Sequence, residues 1–193
     1  VFKPKKSMAA FSNYTIKQYG FEEAIIKSSD NLKLQAWYRK PGRPYLPVIL
    51  YFHGNAGNLS NRINKLITFA QETNYGVLAI SYRGYGRSQG KPTEEGVYKD
   101  ARAAINFLLS NDIYLGDIIL YGESIGAAVA TEMAVEFNTK ALILEAPFTS
   151  LADIAQDTYW YLPARYLVLD EFDTIEKIGH IDMPLLIMHG KRD

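Results

Sequence analysis

The sequence predicts an α/β fold in which a mostly parallel sheet is covered by helices on both faces. Short apolar runs, which are typical of buried strands, alternate along the chain with segments whose apolar residues recur at helical spacing. Each crossover helix of a parallel sheet covers one of its faces, so this alternation favours a parallel arrangement. The 193 residues contain no internal repeat and nothing that marks a second domain, and we therefore expect a single domain over residues 1–193.

The same alternation sets the boundaries of the predicted strands and helices. A hairpin comes first, and the predicted strands cover 21–28, 32–40, 47–52, 75–82, 118–121, 140–144 and 183–189. Helices are predicted over 59–73, over 94–109 and after residue 124. In the second hairpin strand, apolar residues at even positions alternate with Lys33, Gln35, Trp37 and Arg39, so we expect one face of it to be more polar.

The stretch from Ile118 to Ala130 carries the strongest chemical pattern. Its apolar run leads into Gly122-Glu123-Ser124-Ile125-Gly126, and an Ala- and Val-rich stretch typical of a buried helix follows. This strand–turn–helix order is the context of a nucleophile elbow, in which the serine hydroxyl projects from the end of the sheet. Gly122 and Gly126 are expected because side chains there would collide with neighbouring backbone. The alternative is that Ser124 only caps a core helix, which does not account for both glycines.

Other glycine-rich patterns in the chain are weaker. Gly86-Arg87-Ser88-Gln89-Gly90 repeats the Gly-x-Ser-x-Gly spacing, but Lys91-Pro92 follows it, so we predict that Ser88 is a loop serine. The glycines between 84 and 91 also miss the spacing of a dinucleotide fingerprint and of a phosphate loop. Neither a nucleotide nor another cofactor is therefore expected.

Backbone N–H groups that could stabilise a reaction intermediate are predicted in the loop after the strand at 47–52. The loop His53-Gly54-Asn55 can turn a backbone N–H toward the serine, as one half of an oxyanion hole. Asn55 N–H is our first choice and Ala56 N–H the reserve, while Ile125 N–H, at the start of the helix, supplies the other half. The alternative is an ordinary Gly/Asn turn, with His53 in a structural role.

Composition excludes several classes of function. Lys and Arg number 21 and Asp and Glu number 21, so no excess charge draws the chain to nucleic acid. The three histidines are scattered and cysteine is absent, so we expect no metal site and a reducing, cytoplasmic compartment. No apolar run approaches the roughly 18–20 residues of a membrane span, and no signal peptide is evident. The alternative location, suggested by Lys3, Lys5 and Lys6, is a membrane-anchored protein facing the cytoplasm, with the anchor upstream of Val1.

A serine hydrolase also needs an acid and a base. On this topology they follow the nucleophile in the order acid, then histidine. Asp193 follows the last predicted strand and is placed for the acid. No histidine follows Asp193, so we expect the 193 residues to lack their general base and to be truncated at the C-terminus.

Five motifs in order carry a family resemblance, and they are His53-Gly54-Asn55-Ala56-Gly57-Asn58, Tyr82-Arg83-Gly84-Tyr85-Gly86-Arg87-Ser88, Gly122-Glu123-Ser124-Ile125-Gly126, Glu145-Ala146-Pro147-Phe148-Thr149-Ser150 and His189-Gly190-x-x-Asp193. The chain resembles the α/β-hydrolase superfamily, and within it the bud-emergence (Bem-type) serine hydrolases, a branch that includes protein depalmitoylases. The resemblance implies the α/β-hydrolase fold, Ser124 as nucleophile, Asp193 as acid, and Asn55 and Ile125 N–H as oxyanion hole. It also implies that the last strand, the catalytic histidine and the closing helix lie beyond Asp193.

These observations predict a serine hydrolase that cleaves an ester or thioester, in a small molecule or an acylated protein. Residues 147–180 are rich in aromatic side chains without a sustained period, and we interpret them as a lid-like insertion. Within it Tyr159, Trp160, Tyr161 and Tyr166 are candidates for an acyl pocket, or for a lid that only covers core. Two alternatives stay open: a truncated, inactive hydrolase or binding scaffold, and a serine peptidase or aminopeptidase on the same fold.

Overall fold

The computed structural model describes residues 2–7, 12–158 and 170–190. These residues form one seven-stranded sheet in the order β1-β2-β4-β3-β5-β6-β7. Its strands are β1 (Glu22–Lys27), β2 (Lys33–Arg39), β3 (Val48–Phe52), β4 (Gly76–Ile80), β5 (Ile118–Glu123), β6 (Ala141–Glu145) and β7 (Leu185–Met188). The α-helices are α1 (Ser12–Gln18), α2 (Ile63–Thr73), α3 (Glu94–Leu109), α4 (Ile125–Glu136), α5 (Leu151–Thr158) and α6 (Ile175–Ile178).

The sheet is mostly parallel, as the sequence predicts. β1 and β2 form the predicted antiparallel hairpin, and β2 also pairs antiparallel with β4. The strands from β4 through β3, β5 and β6 to β7 are all parallel. The chain passes from β3 to β4 on one side and returns to β5 on the other, so the strand order reverses beside β3. Ligands of open α/β sheets bind at such a reversal, beyond the carboxyl ends of the strands.

A hydrophobic core lies on each face of the sheet. One is built with α3 and α4, and the apolar residues that α3 contributes to it include Val97, Ala101, Ala104, Ile105 and Leu108. The other lies under α1 and α2 and includes Ile16 and Leu66. The N-terminal residues of α4 are buried on every side of the helix, as expected for a helix enclosed by the fold. The start of α4 is therefore held by packing on all sides.

Two details of the fold were not predictable from local sequence. On the more polar face of the second hairpin strand, Lys33 is exposed and Arg39 is partly exposed, but Gln35 and Trp37 between them are completely buried. β2 lies inside the sheet between β1 and β4, and Trp37 packs in the core that contains Ile16 and Phe21. The helix predicted over 59–73 begins as a 3₁₀ helix, Leu59–Arg62, and becomes α-helical only at Ile63. The side chains and backbone amides of Asn58 and Asn61 form a reciprocal capping box at its start.

A buried ion pair holds the loop that follows β4. The Arg83 guanidinium donates to the Asp100 carboxylate at 2.7 and 3.0 Å, and a second pair joins Arg83 to Asp30 at 2.8 Å. The backbone N–H of Arg83 also donates to Asp100, at 2.7 Å. Because the Asp100 side chain is completely buried, its charge requires these partners. These contacts hold the loop against α3. The loop lies at the same edge of the sheet as the end of β3, because β3 and β4 are parallel.

β7 is the outermost strand among the described residues. All four of its apolar side chains, Leu185 to Met188, are between 36% and 52% exposed, and they alternate between the two faces of the sheet. β7 therefore leaves one edge of the sheet unpaired within the part of the chain that the structure describes.

None of the helices in residues 2–7, 12–158 and 170–190 is long and apolar enough to cross a bilayer. The same residues contain no group of three or more His, Asp or Glu side chains arranged to hold a metal ion. His53 is buried at the end of β3, whereas His180 and His189 are exposed.

Candidate active site

Ser124 occupies a strained turn between β5 and α4. Its backbone angles are φ 53° and ψ −117°, a region that residues with a side chain rarely adopt and that costs of order 1–3 kcal/mol. The Ser124 N–H donates to the carbonyl of Glu145 at 2.9 Å, and its own carbonyl accepts from Ala127 N–H at 2.8 Å. The Ser124 side chain makes no capping hydrogen bond to α4. A serine that only capped the helix would make that bond, so this observation argues against the alternative that Ser124 is only a helix cap.

The two elbow glycines are required by close backbone contacts. A Cβ atom on Gly122 would lie 2.5 Å from Ala127 Cα, inside the first turn of α4. A Cβ atom on Gly126 would lie 2.6 Å from the carbonyl carbon of Phe52, at the end of β3. Real Cβ atoms essentially never come so close to another heavy atom. The glycines therefore allow β3, β5 and α4 to meet at the serine.

The loop after β3 lies against the elbow. A Cβ atom on Gly54 would lie only 3.4 Å from the backbone carbonyl oxygen of Glu123, the residue before Ser124. The next residue, Asn55, is held through its side chain, whose Oδ1 accepts from Tyr85 O–H at 2.7 Å and from Lys3 N–H at 2.8 Å. The structure thus brings the Asn55 loop and the start of α4 at Ile125 to the same edge, since β3 and β5 are paired neighbours.

His53 orients this loop and is not placed to act as a base. Its side chain is buried, and its Nδ1 lies 2.7 Å from the carbonyl oxygen of Gly54. A carbonyl only accepts, so Nδ1 carries the proton and donates it. In a planar trans peptide the N–H points opposite to the C=O, so the N–H of Asn55 points away from the imidazole. Burial lowers the pKa of His53 to about 4, which keeps the ring neutral at pH 7.

We expect the free energy of unfolding to fall as the pH is lowered from about 6.5 to 4. In this range an unfolded chain binds a proton on His53 that the folded chain excludes, so acid favours unfolding. The difference between the ordinary pKa of 6.5 and about 4 corresponds to roughly 3 kcal/mol. Urea unfolding at pH 7 and pH 4.5 measures this loss. An NMR titration in which the His53 ring protonates above pH 6 in the folded protein would contradict it.

An ion-pair cluster that the sequence did not reveal surrounds Glu123. The Glu123 carboxylate pairs with Arg62 and with Lys65, both at 2.8 Å, and accepts from Tyr51 O–H at 2.5 Å. Lys65 also pairs with Glu145 at 2.6 Å, and the Tyr121 O–H donates to Glu145 at 2.7 Å. In the sequence, the only sign of this cluster was the i, i+3 spacing of two cations, Arg62 and Lys65, in the helical segment that follows the loop His53-Gly54-Asn55.

The cluster keeps Glu123 ionised although the residue is half-buried. Burial alone would raise the pKa of Glu123, but the hydrogen bonds from Lys65 and Tyr51 and the charges of Arg62 and Lys65 outweigh it. The result is a pKa of about 2. Burial raises the pKa of Tyr51 and of Tyr121, with the neighbouring carboxylates adding to it, so both phenols stay protonated donors.

The remaining predicted site residues divide into two groups. Ser88 lies in the loop after β4, where its hydroxyl donates to the carbonyl of Ser81 at 2.6 Å and accepts from Gln35 N–H at 2.9 Å, so it holds the loop against β2. The predicted acid and acyl-pocket residues fall outside the described residues, and they are Asp193, Tyr159, Trp160, Tyr161 and Tyr166. An apolar groove of about 180 Å³ lies beyond the end of β6, with Leu144, Phe148, Ile175 and Ile187 in its lining.

A family model described as "Serine aminopeptidase, S33", a hydrolase family, matches residues 44–164, which include the loop after β3 and the elbow. That match covers more than half of the chain. The chain belongs to the α/β-hydrolase superfamily. The resemblance predicted from the five motifs is thereby confirmed at the level of the superfamily, and the fold prediction with it.

Individual α/β-hydrolases resemble this one over most of its length. Protein bem46 of Schizosaccharomyces pombe is 37% identical over 183 residues, covering 90% of this chain and 60% of its own. Human alpha/beta hydrolase domain-containing protein 17B is 35% identical over 148 residues, covering 76% of this chain and 50% of its own. This α/β-hydrolase chain thus spans about half to three fifths of these relatives.

Solved structures of other α/β-hydrolases share the fold. An esterase from Pyrococcus furiosus superposes with a TM-score of 0.80, over 100% of this chain and 78% of its own, at 22% identity. An alpha-beta hydrolase from Vibrio vulnificus superposes with a TM-score of 0.74 over 97% of this chain and 79% of its own, at 19% identity. At such identities the likeness establishes the architecture alone.

Proposed function

We propose that this α/β-hydrolase is a serine hydrolase that cleaves an ester or thioester through an acyl-enzyme on Ser124. The observation that carries the proposal is the strained turn of Ser124, with φ at 53° and the loop after β3 packed beside it. Strain of this kind is retained where a side chain must be presented to a substrate. The substrate is a small molecule or an acylated protein.

The proposed reaction has two halves. The Ser124 hydroxyl adds to the acyl carbonyl carbon, and the carbonyl electron pair moves onto oxygen, where the N–H groups of Asn55 and Ile125 stabilise the oxyanion. Collapse of this intermediate expels the alcohol or thiol and leaves an ester on Ser124, which water then cleaves. The proton would be carried by a histidine oriented by Asp193, as the family resemblance implies. His53 is unsuited to that task, because its ring is buried, its lowered pKa makes it a weak base, and its Nδ1 is bonded to Gly54.

The groove beyond β6 supports an acyl substrate. Its lining is mainly apolar, and it begins at Leu144, which pairs in register with Gly122 of the elbow. Ile175 and Ile187 are more than half exposed on its rim, and covering them with an acyl chain would be favourable. We propose this groove as a binding site for the acyl chain, and the aromatic candidates between 159 and 166 lie outside the described residues.

The description of the matching family favours one second candidate, a peptidase that acts on a free amino terminus. Such an enzyme needs a carboxylate to bind the substrate ammonium group. Among the described residues beside the elbow, Glu123 and Glu145 already pair with Arg62 and Lys65. Parallel assays of p-nitrophenyl butyrate and of aminoacyl p-nitroanilides distinguish the two, and we expect Ser124-dependent cleavage of the ester and none of the anilides.

Labelling with a fluorophosphonate tests the proposed nucleophile. We expect one label per chain, mapped by mass spectrometry to the peptide that contains Ser124, and no label in the Ser124→Ala variant. Ser88→Ala is the matched control, because Ser88 lies in the second Gly-x-Ser-x-Gly pattern, and this variant should label normally. Absence of label both on this chain and on a chain extended past Asp193 would contradict the proposal and favour the inactive scaffold, whereas labelling of the extended chain alone would show that the 193 residues lack their base.

A further inference from the structure

The ion-pair cluster of Arg62, Lys65, Glu123 and Glu145 contacts the three backbone segments that surround Ser124. Glu123 precedes the serine directly, and the Glu145 carbonyl accepts the hydrogen bond of Ser124 N–H. A Cβ atom on Gly54 would lie 3.0 Å from Glu123 Oε1 and 3.3 Å from Arg62 Nη2, so the pair also packs on the loop after β3. No other ion pairs of the described residues link these three segments.

The cluster also closes the loop that carries Asn55. This loop runs from the end of β3 at Phe52 to the 3₁₀ helix that begins at Leu59. β3 is held by its pairing with β5, and Arg62 and Lys65 tie the beginning of the helical segment to Glu123, the last residue of β5. Both ends of the loop are therefore attached to the strand that bears the nucleophile.

Lys65 has a role in the cluster that Arg62 does not share. Glu123 and Glu145 are register partners on the neighbouring strands β5 and β6, where two carboxylates without a cation would repel each other. The Lys65 ammonium contacts both, at 2.8 and 2.6 Å, whereas Arg62 contacts only Glu123. The cluster is half-buried, with the Lys65 side chain 29% exposed, so water screens this repulsion only in part.

We propose that Lys65 is a positioning residue, which holds the ends of β5 and β6 together and so sets the place of Ser124 relative to the oxyanion loop. Without its charge, the two carboxylates separate the strand ends and weaken the bond between Ser124 N–H and the Glu145 carbonyl. Lys65 touches no substrate and acts through Glu123 and Glu145. The expected effect on kcat rests on the proposed function, whereas the expected weakening of the Ser124 N–H hydrogen bond does not.

Hydrogen exchange tests the backbone consequence without any catalysis. In Lys65→Met we expect the Ser124 amide to exchange at least about tenfold faster, while Leu120 in the middle of β5 is unchanged and serves as the internal reference. Lys65→Arg should keep the wild-type rate. Lys99→Met is the matched control, because it removes an exposed i, i+4 pair with Glu95 on α3. Equal Ser124 exchange in wild type and Lys65→Met would overturn the proposal.

Steady-state hydrolysis of p-nitrophenyl butyrate, measured on the chain extended past Asp193, tests the catalytic consequence. We expect Lys65→Met to lower kcat by about tenfold to a hundredfold with KM within about twofold, as expected when a reacting group is misplaced. Lys65→Arg should restore kcat, and adding Glu145→Gln to Lys65→Met should recover part of it by removing the repulsion. An unchanged kcat in Lys65→Met would overturn the inference. A wild-type chain without Ser124-dependent hydrolysis would instead contradict the proposed function, and hydrogen exchange would still decide the role of Lys65.

Discussion

Replacing Ser124 with glycine is expected to abolish hydrolysis and, at the same time, to stabilise the fold. Loss of a serine nucleophile lowers kcat by at least about a thousandfold in related chemistry. Glycine adopts φ 53° without the steric cost that serine bears, and the Ser124 side chain makes no capping bond that would be lost. We expect a gain of about 1 kcal/mol in the free energy of unfolding, after the larger chain entropy of unfolded glycine is subtracted.

Ser124→Ala is the matched control for this prediction. Alanine also removes the hydroxyl but keeps the Cβ atom, so the steric cost of the positive φ remains. Urea unfolding should therefore rank Ser124→Gly as more stable than Ser124→Ala, while both are inactive toward p-nitrophenyl butyrate. In the middle of a helix or strand glycine is the less stable of the two. That ordinary ranking, if found at position 124, would show that the turn is not strained.

Gly126→Ala is expected to lower the free energy of unfolding by at least about 3 kcal/mol, or to prevent folding. The added Cβ would lie 2.6 Å from the carbonyl carbon of Phe52 and 2.9 Å from the carbonyl oxygen of His53. Both neighbours are backbone atoms at the end of β3, which pairs with β4 and β5 and cannot move aside. This steric clash is relieved only if α4 shifts away from the sheet, which would expose the buried residues of the helix.

Gly116→Ala is the control for Gly126→Ala. A Cβ atom on Gly116 would meet nothing within 4 Å, and its φ is not in the left-handed region. We expect that variant to be as stable as wild type, within about 0.5 kcal/mol, or slightly more stable. Thermal and urea unfolding of the two variants measure the difference. A Gly126→Ala variant within about 1 kcal/mol of wild type would mean that the approach of α4 to β3 is looser than described.

The local sequence pattern was sufficient to predict most of the strands and helices. Thr93 caps α3, and α3 covers Glu94–Leu109 as predicted, because a cap and an amphipathic stripe are local in sequence. The strand, turn and helix around Ser124 were also predictable, since the glycines that permit the turn stand within two residues of the serine. The complete burial of Gln35 and Trp37 could not be predicted, because it depends on β2 being an inner strand, and alternation in one segment carries no information on strand order.

The ion-pair cluster lay beyond prediction for a different reason. Its members come from residues 51 to 145 of the chain and meet only where β3, β5, β6 and α2 converge. Tyr51 and Tyr121 look like ordinary residues of apolar strands, and Lys65 looks like a solvated residue on the polar face of a helix. Charges are paired across space, so their partners cannot be deduced from spacing along the chain.

The sequence by itself determined the α/β architecture, the strained serine turn and the superfamily, because periodicity, glycine placement and motif order are written in contiguous residues. The tertiary structure alone decided which charges hold the backbone segments around Ser124 in place. Parallel strands bring distant residues to one sheet edge, and only the order and register of those strands specify which carboxylate and which ammonium group become neighbours.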